Sequence, residues 1–295
     1  MPNKTLKGIA LASCAGVCWG SMGVAAQYLM AECQFRVIDL TSIRLFGAGI
    51  ILVLLDVVLH GTQHAKAVFS KENLLGIIIY GLILLGSQFT FFQSIAYANA
   101  ATATILVLTS PLFVIIYLAL SCHRRIKLIE IISLVLAMFG VVLLVTKGNL
   151  NSIDLSILGV VWGLVSAIFA SMGTIQPVKL VRRLTVFPVI GWAMTLSGFA
   201  ACLYNNPFDT NVLWNSTSML CYAHVVVCGT IVSFCCYLKS MEFIPPSTAS
   251  MLVCFEPLSA VLLSFLLLGT TFTLLEAVGA LCILCTALLL ARSKT

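Results

Sequence analysis

The sequence predicts an all-α integral membrane protein, with ten transmembrane helices arranged as two inverted five-helix repeats. Three observations predict it: an apolar, charge-poor composition, a strongly one-sided distribution of basic residues, and an internal repeat. Of the 295 residues, 61% are hydrophobic and only 9% charged, with a mean hydropathy of +1.11. Soluble domains carry about 25% charged residues, so a chain this poor in charge needs lipid as its solvent.

A bilayer core about 30 Å thick takes roughly 20 apolar residues per helix. Ten such stretches can be read along the chain: 8–30, 37–59, 74–97, 101–122, 127–146, 155–177, 186–204, 217–238, 246–268 and 272–291. Polar links separate them, among them His60–His64, His123-Arg124-Arg125, Lys147-Gly148-Asn149 and Asn205-Asn206-Pro207. Pro245-Pro246 restarts the chain after the eighth helix. Leu11-Ala12-Ser13-Cys14 resembles a lipoprotein cleavage box. A signal peptide needs about 7–15 apolar residues before its cleavage site; the run from Lys7 is shorter and continues to Ala26, so an uncleaved first helix is expected.

Placing the amino terminus inside puts 13 of the 16 Lys and Arg residues on the inner side, leaving Arg36, Arg44 and Lys147 outside or in outward-starting helices. The positive-inside rule expects such a bias, which favours ten spans with both termini cytoplasmic. The net charge of +6 is therefore topological, and no nucleic-acid partner is expected.

The two halves, 1–147 and 148–295, repeat each other. Residues 91–120 align without gaps to 237–266, with eight of thirty positions identical, including Ser94/Ser240, Thr102/Thr248 and Pro111/Pro257. Trp19-Gly20-Ser21-Met22-Gly23 answers Phe169-Ala170-Ser171-Met172-Gly173. Five spans per half is an odd number, so the halves enter the membrane from opposite sides. Inverted repeats recur in secondary transporters, with the substrate site near mid-membrane where the repeats meet.

The chain resembles the drug/metabolite transporter superfamily, and within it the EamA-type ten-helix transporters. The resemblance covers nearly the whole chain. It rests on Trp19-Gly20-Ser21, on Ser110-Pro111-Leu112, and on Glu256-Pro257-Leu258 with Gly269 closing that helix. Ala100–Thr104 and Gly191-Trp192 are similar to a branch of carboxylate, amino acid and amine transporters. Thr270 follows Gly269 where many members carry a glutamate, so a role for that glutamate does not transfer. The resemblance implies movement of a small organic metabolite, in the export direction for many members.

Candidate substrate-binding residues are Trp19, Ser21, Arg44, Gln88, Phe92, Thr109, Phe169, Gln176, Trp192, Ser233, Tyr237 and Glu256, with Pro111 and Pro257 as hinges. Glu256 is expected near the middle of its helix, where a charge costs about 2.5–3.5 kcal/mol to insert. It could bind a substrate ammonium, titrate a coupling proton, or serve as a structural carboxyl. Arg44 could hold a carboxylate, snorkel outward, or pair with Asp39. Gln88 is costly to expose to lipid and should face inward, with Phe92 and Phe89 on its sector. The prolines each delete a backbone donor and bend their helix. Asp56 is expected at the interface, and Gly16/Gly20, Gly47 and Gly159/Gly163 in close helix packing.

No cofactor or metal is expected. The twelve cysteines fall mostly in apolar runs and read as packing residues. The sequence holds no GxxxxGK[ST], HExxH or GxSxG motif. A secondary transporter that works as a monomer, with protons as the gradient, is the leading expectation. The alternative is a membrane enzyme acting on a lipid or small amphipathic molecule.

Overall fold

The structure, a computed structural model, describes residues 2–292 apart from 63–65, 111, 114–115, 118–127, 147–155, 206–211, 241, 245–248, 250–251, 254 and 272. All regular structure among the described residues is helical. The elements are α1 (Pro2–Glu32), α2 (Val37–His60), a short 3-10 turn (Ala67–Phe69), α3 (Lys71–Tyr97), α4 (Ala100–Val107), α5 (Leu128–Thr146), α6 (Ile157–Ile175), α7 (Val178–Leu184), α8 (Val186–Tyr204), α9 (Ser216–Val226), a π-helical stretch (Val227–Val232), α10 (Ser233–Ser240), α11 (Phe255–Leu268) and α12 (Leu274–Arg292). Six described segments are long and apolar enough to cross a membrane: Lys4–Glu32, Val37–His60, Lys71–Tyr97, Ile157–Leu184, Val186–Tyr204 and Ser216–Ser240. Shorter apolar helices include Ile131–Gly140, Phe255–Leu268 and Leu274–Cys285. The chain is therefore a multi-pass membrane protein.

Local signals set several boundaries. Asn99 caps α4 by accepting from the Thr102 amide at 2.8 Å. Asn215 and Ser218 form a reciprocal capping box at the start of α9, satisfying amides that a helix start leaves without partners. Gly269 ends α11 at φ 64°, a left-handed conformation that glycine adopts without steric cost.

Close packing follows small residues. α2 crosses α8, α3 lies along α6 and α8, α5 along α12, and α1 along α9, α10 and α11. Gly49 and Gly198 bring α2 and α8 into backbone contact: a Cβ on Gly198 would overlap the Phe46 backbone, and one on Gly49 the Thr195 backbone. Gly16 and Gly20 do the same for α1 and α11, and Gly159 and Gly163 for α6 against the end of α3 and α4. Gly47, expected in this role, has nothing within 4 Å of its Cβ position, and Gly49 occupies the crossing instead. Without water to expel, membrane helices associate by such packing.

Asp56, expected at the interface, lies one turn before the end of α2, is fully buried among the helices and meets His60 Nδ1 at 3.0 Å. The ten described cysteines are all free thiols.

Candidate functional site

Arg44 is a large charged side chain enclosed by the bundle. Its side chain is fully buried in α2. It neither snorkels nor pairs with Asp39, because Arg36 takes that carboxylate at 2.6 and 3.0 Å and Asn205 donates to it as well. The guanidinium turns inward. Nη1 donates to Met22 Sδ at 2.9 Å and to Thr230 Oγ1 at 3.3 Å, and Nη2 donates to Gln88 Oε1. The guanidinium carbon lies 4.7 Å from the Phe92 ring centroid, in cation–π geometry. Nε is buried with no hydrogen-bond partner among the described residues.

Sequence spacing explains this convergence. Gln88 and Phe92 are four apart on α3, so both face one side of that helix. Thr230 comes from the π-helical stretch, where the extra residue per turn rotates side chains out of helical register; such stretches are frequent at functional sites. There Thr230 donates to Val225 O at 2.9 Å and Ser233 to Gly229 O at 2.7 Å, and Gly229 leaves room for Met22. Thus α1, α3 and the π stretch each give one or two residues to Arg44 of α2.

A second group lies beside it on α1. Trp19 packs edge-on to Phe234 at 5.3 Å and against Tyr237 at 5.2 Å. Glu256 is 7% exposed. Its backbone sits against Gly16 and Gly20. At 1.5 Å per residue, those glycines lie about 3–9 Å from Met22 along α1. Glu256 and Arg44 therefore meet neighbouring levels of α1 but different faces of it, because Gly20 and Met22, two residues apart, point about 200° apart around the helix. On the same scale Trp19 is about midway between Lys7 and Glu32. Ser21 donates to Cys18 O at 3.0 Å and meets His224 Nε2 at 2.9 Å.

Glu256 is not in mid-helix. The chain turns at Val253, α11 begins at Phe255, and Glu256 and Pro257 lie in its first turn. There the helix dipole favours a carboxylate, and proline removes a donor that needs no partner. In the first half α4 likewise ends at Val107, and the chain turns at Leu108 and Thr109. Pro111 itself lies outside the described residues.

Other sequence candidates fall elsewhere. The Phe169 ring fills the space over Gly86, between α6 and α3. Gln176 donates to Gly76 O at 2.7 Å, and Trp192 packs edge-on to Phe69 at 4.7 Å, both near the Lys71 end of α3. Thr109 is buried and donates to Leu106 O at 2.7 Å. Phe89 leaves the Gln88 sector: it packs against Trp162 and lines an open apolar groove of about 360 Å³ with Ile38, Leu82 and Tyr204. Sequence reasoning missed Met22 and Thr230 as partners of Arg44. Met22 lay within the repeated Trp-Gly-Ser-Met-Gly segment, but a thioether gives no polar signal, and no local motif announced the π stretch.

A multi-pass bundle that buries an arginine and a glutamate fits a membrane transporter. The EamA-like transporter family model matches residues 6–146 and again 157–292. The chain belongs to that family, within the drug/metabolite transporter superfamily. It is 35% identical to an uncharacterized inner membrane transporter of Salmonella typhimurium, YicL, over 98% of this chain and 96% of that one. It is 22% identical to an uncharacterized transporter of Bacillus subtilis, YoaV, over 83% and 84% of the two chains. A solved crystal structure shares the fold with a TM-score of 0.67 at 16% identity, covering 100% of this chain and 99% of the other.

Proposed function

We propose that the protein is a secondary active transporter that moves a small organic metabolite, such as an amino acid, amine or carboxylate, by alternating access at a mid-membrane cavity that Arg44 and Glu256 border. The observation that carries this reading is how the helices pair across the halves. α2 packs on α8, α5 on α12 and α4 on α11, each pair joining equivalent helices of the two repeats. α3 on α6 is matched by α1 on the α9–α10 segment, and α1 on α11 by α4 on α6. Exchanging the halves maps this set of contacts onto itself, which supports two repeats related by a pseudo-two-fold axis. The family model matches twice, over 6–146 and 157–292, which supports two halves of similar build. Two halves of similar build can exchange conformations, giving states open to opposite sides.

In this reading Arg44 and Glu256 hold the polar ends of the solute, Gln88 and Thr230 orient it, and Trp19, Phe92 and Tyr237 form its apolar walls. The full burial of Arg44 corresponds to a closed state. Pro111 and Pro257 flank the two breaks where the halves bend. Both termini lie in the cytoplasm, export is the working direction, one chain suffices, and a proton gradient is the energy source. The test is counterflow: purified protein in vesicles preloaded with unlabelled metabolite should accumulate the same labelled metabolite transiently and saturably. Conversion of the solute to a new product without its movement across the bilayer would favour the enzyme alternative and sink this one.

A further inference from the structure

The geometry points to a carboxylate on the transported solute, gripped by Arg44 in place of the neutral acceptors that now surround it. This inference rests on the transporter reading and names the chemistry its central site selects. Arg44 is a full positive charge in a membrane-buried setting, and each hydrogen-bond acceptor it reaches is neutral: a thioether, a hydroxyl and an amide oxygen. Its Nε donor has no partner among the described residues. Such a donor left unmade carries the full desolvation penalty of its group. A buried charge in a purely structural role would be expected beside its counter-ion. Here the nearest sequence candidate, Asp39, is committed to Arg36 and Asn205.

The missing partner must fit a planar fork. Guanidinium presents parallel N–H pairs that match the two oxygens of a carboxylate. Nε and Nη2 lie on one edge of the guanidinium; Nε is free, and Nη2 is bonded only to Gln88 Oε1. Rotation of that amide would withdraw the oxygen and offer its N–H₂ to the incoming anion instead. Thr230 already has a second acceptor in Val225 O, so its hydroxyl can leave Arg44 without becoming an orphan. The Phe92 ring holds the guanidinium plane from the side. No second Lys or Arg joins the cluster among the described residues. The site therefore suits a single negative charge, with or without an ammonium on the same molecule, and disfavours a doubly charged phosphate.

The experiment uses matched headgroups on one carbon skeleton: leucine, 4-methylpentanoate, leucinamide and isoamylamine, together with the equivalent alanine and phenylalanine sets. Binding to the purified full chain is read as the concentration-dependent rise of its thermal unfolding midpoint. At least one acid is expected to bind, with its amide or amine at least about thirtyfold weaker, the lower bound for leaving one member of a buried charge pair unmatched. Arg44→Gln should abolish the difference between acid and amide, while Arg44→Lys should keep part of it. The wild-type comparison decides the matter even where a variant fails to fold. The inference is overturned if no acid raises the midpoint, if amides or amines bind as tightly as their acids, or if folded Arg44→Gln keeps the preference. Counterflow of the same compounds separates the two readings. An acid that binds at Arg44 but never crosses the vesicle overturns the transporter reading alone, and an amine carried as well as its acid overturns this inference alone.

Discussion

Substituting alanine at three glycines of the first two helices tests whether α1 and α11 form a tight seam. Gly→Ala inside a helix gains about 1 kcal/mol in propensity wherever space exists. At Gly47 a Cβ meets nothing within 4 Å, so Gly47→Ala should be neutral or slightly stabilising. At Gly16 the nearest atoms, Glu256 N and Leu252 O, stand at 3.2 Å, so the gain and the strain should roughly cancel. At Gly20 the new methyl would overlap both Ser259 Oγ and Glu256 O. The serine can rotate, but the carbonyl belongs to the helix backbone. Overpacking of this kind costs about 1–3 kcal/mol, which outweighs the propensity gain. Thermal unfolding in detergent should therefore rank Gly47→Ala above Gly16→Ala above Gly20→Ala, and Ser259→Ala should restore only part of the loss at Gly20. Equal midpoints for Gly20→Ala and Gly47→Ala would refute the seam, and with it the placement of Glu256 against α1.

Other expected outcomes follow from single contacts. Glu256→Gln should slow counterflow at least tenfold and flatten its dependence on pH between about 5 and 8; wild-type rates with an unchanged profile would remove Glu256 from the mechanism. Asn205→Ala should lower the unfolding free energy by about 1–3 kcal/mol, the cost of leaving a buried acceptor short of a partner, because Asp39 is fully buried and loses one of two donors; an unchanged midpoint would disprove the link from α8 to α2. Reducing agent should leave the unfolding midpoint unchanged, since the ten described cysteines are free; a fall on reduction would reveal a cross-link.

Hydropathy located the helices because lipid imposes one rule along the whole chain. The expected segments 37–59, 186–204 and 217–238 fall within a residue or two of α2, of α8 and of the α9–α10 segment. Gln88 was legible as inward-facing for the same reason. Side-chain partnership was less legible. Arg44 left three readings open because periodicity gives its face but not what stands opposite; only the tertiary arrangement shows Arg36 claiming Asp39 and Gln88 claiming Arg44. Trp192 and Gln176 are polar or aromatic within apolar runs, yet they pack near the Lys71 end, away from Arg44. Composition marks a residue as unsuited to lipid, and several kinds of interior satisfy that requirement.

The duplication reaches the scaffold but not Arg44 or Glu256. Arg44 has no charged counterpart: the second-half positions at offsets of 146 to 150 run Ile190-Gly191-Trp192-Ala193-Met194. Glu256 aligns at offset 146 with Ser110. The glycine contacts and the helix breaks before Pro111 and Pro257, by contrast, recur in both halves. This division has a mechanical consequence for the proposed cycle. If the halves exchange conformations, the walls around the solute become equivalent in the two end states. Arg44 and Glu256 cannot exchange, since neither has a charged counterpart at the matching position of the other half. A solute with one anionic end would then keep one orientation throughout the crossing, anchored to α2 while the opposite half rearranges around it. A symmetric pair of arginines would instead offer two competing anchors and add a second uncompensated charge, at about 2.5–3.5 kcal/mol on insertion scales.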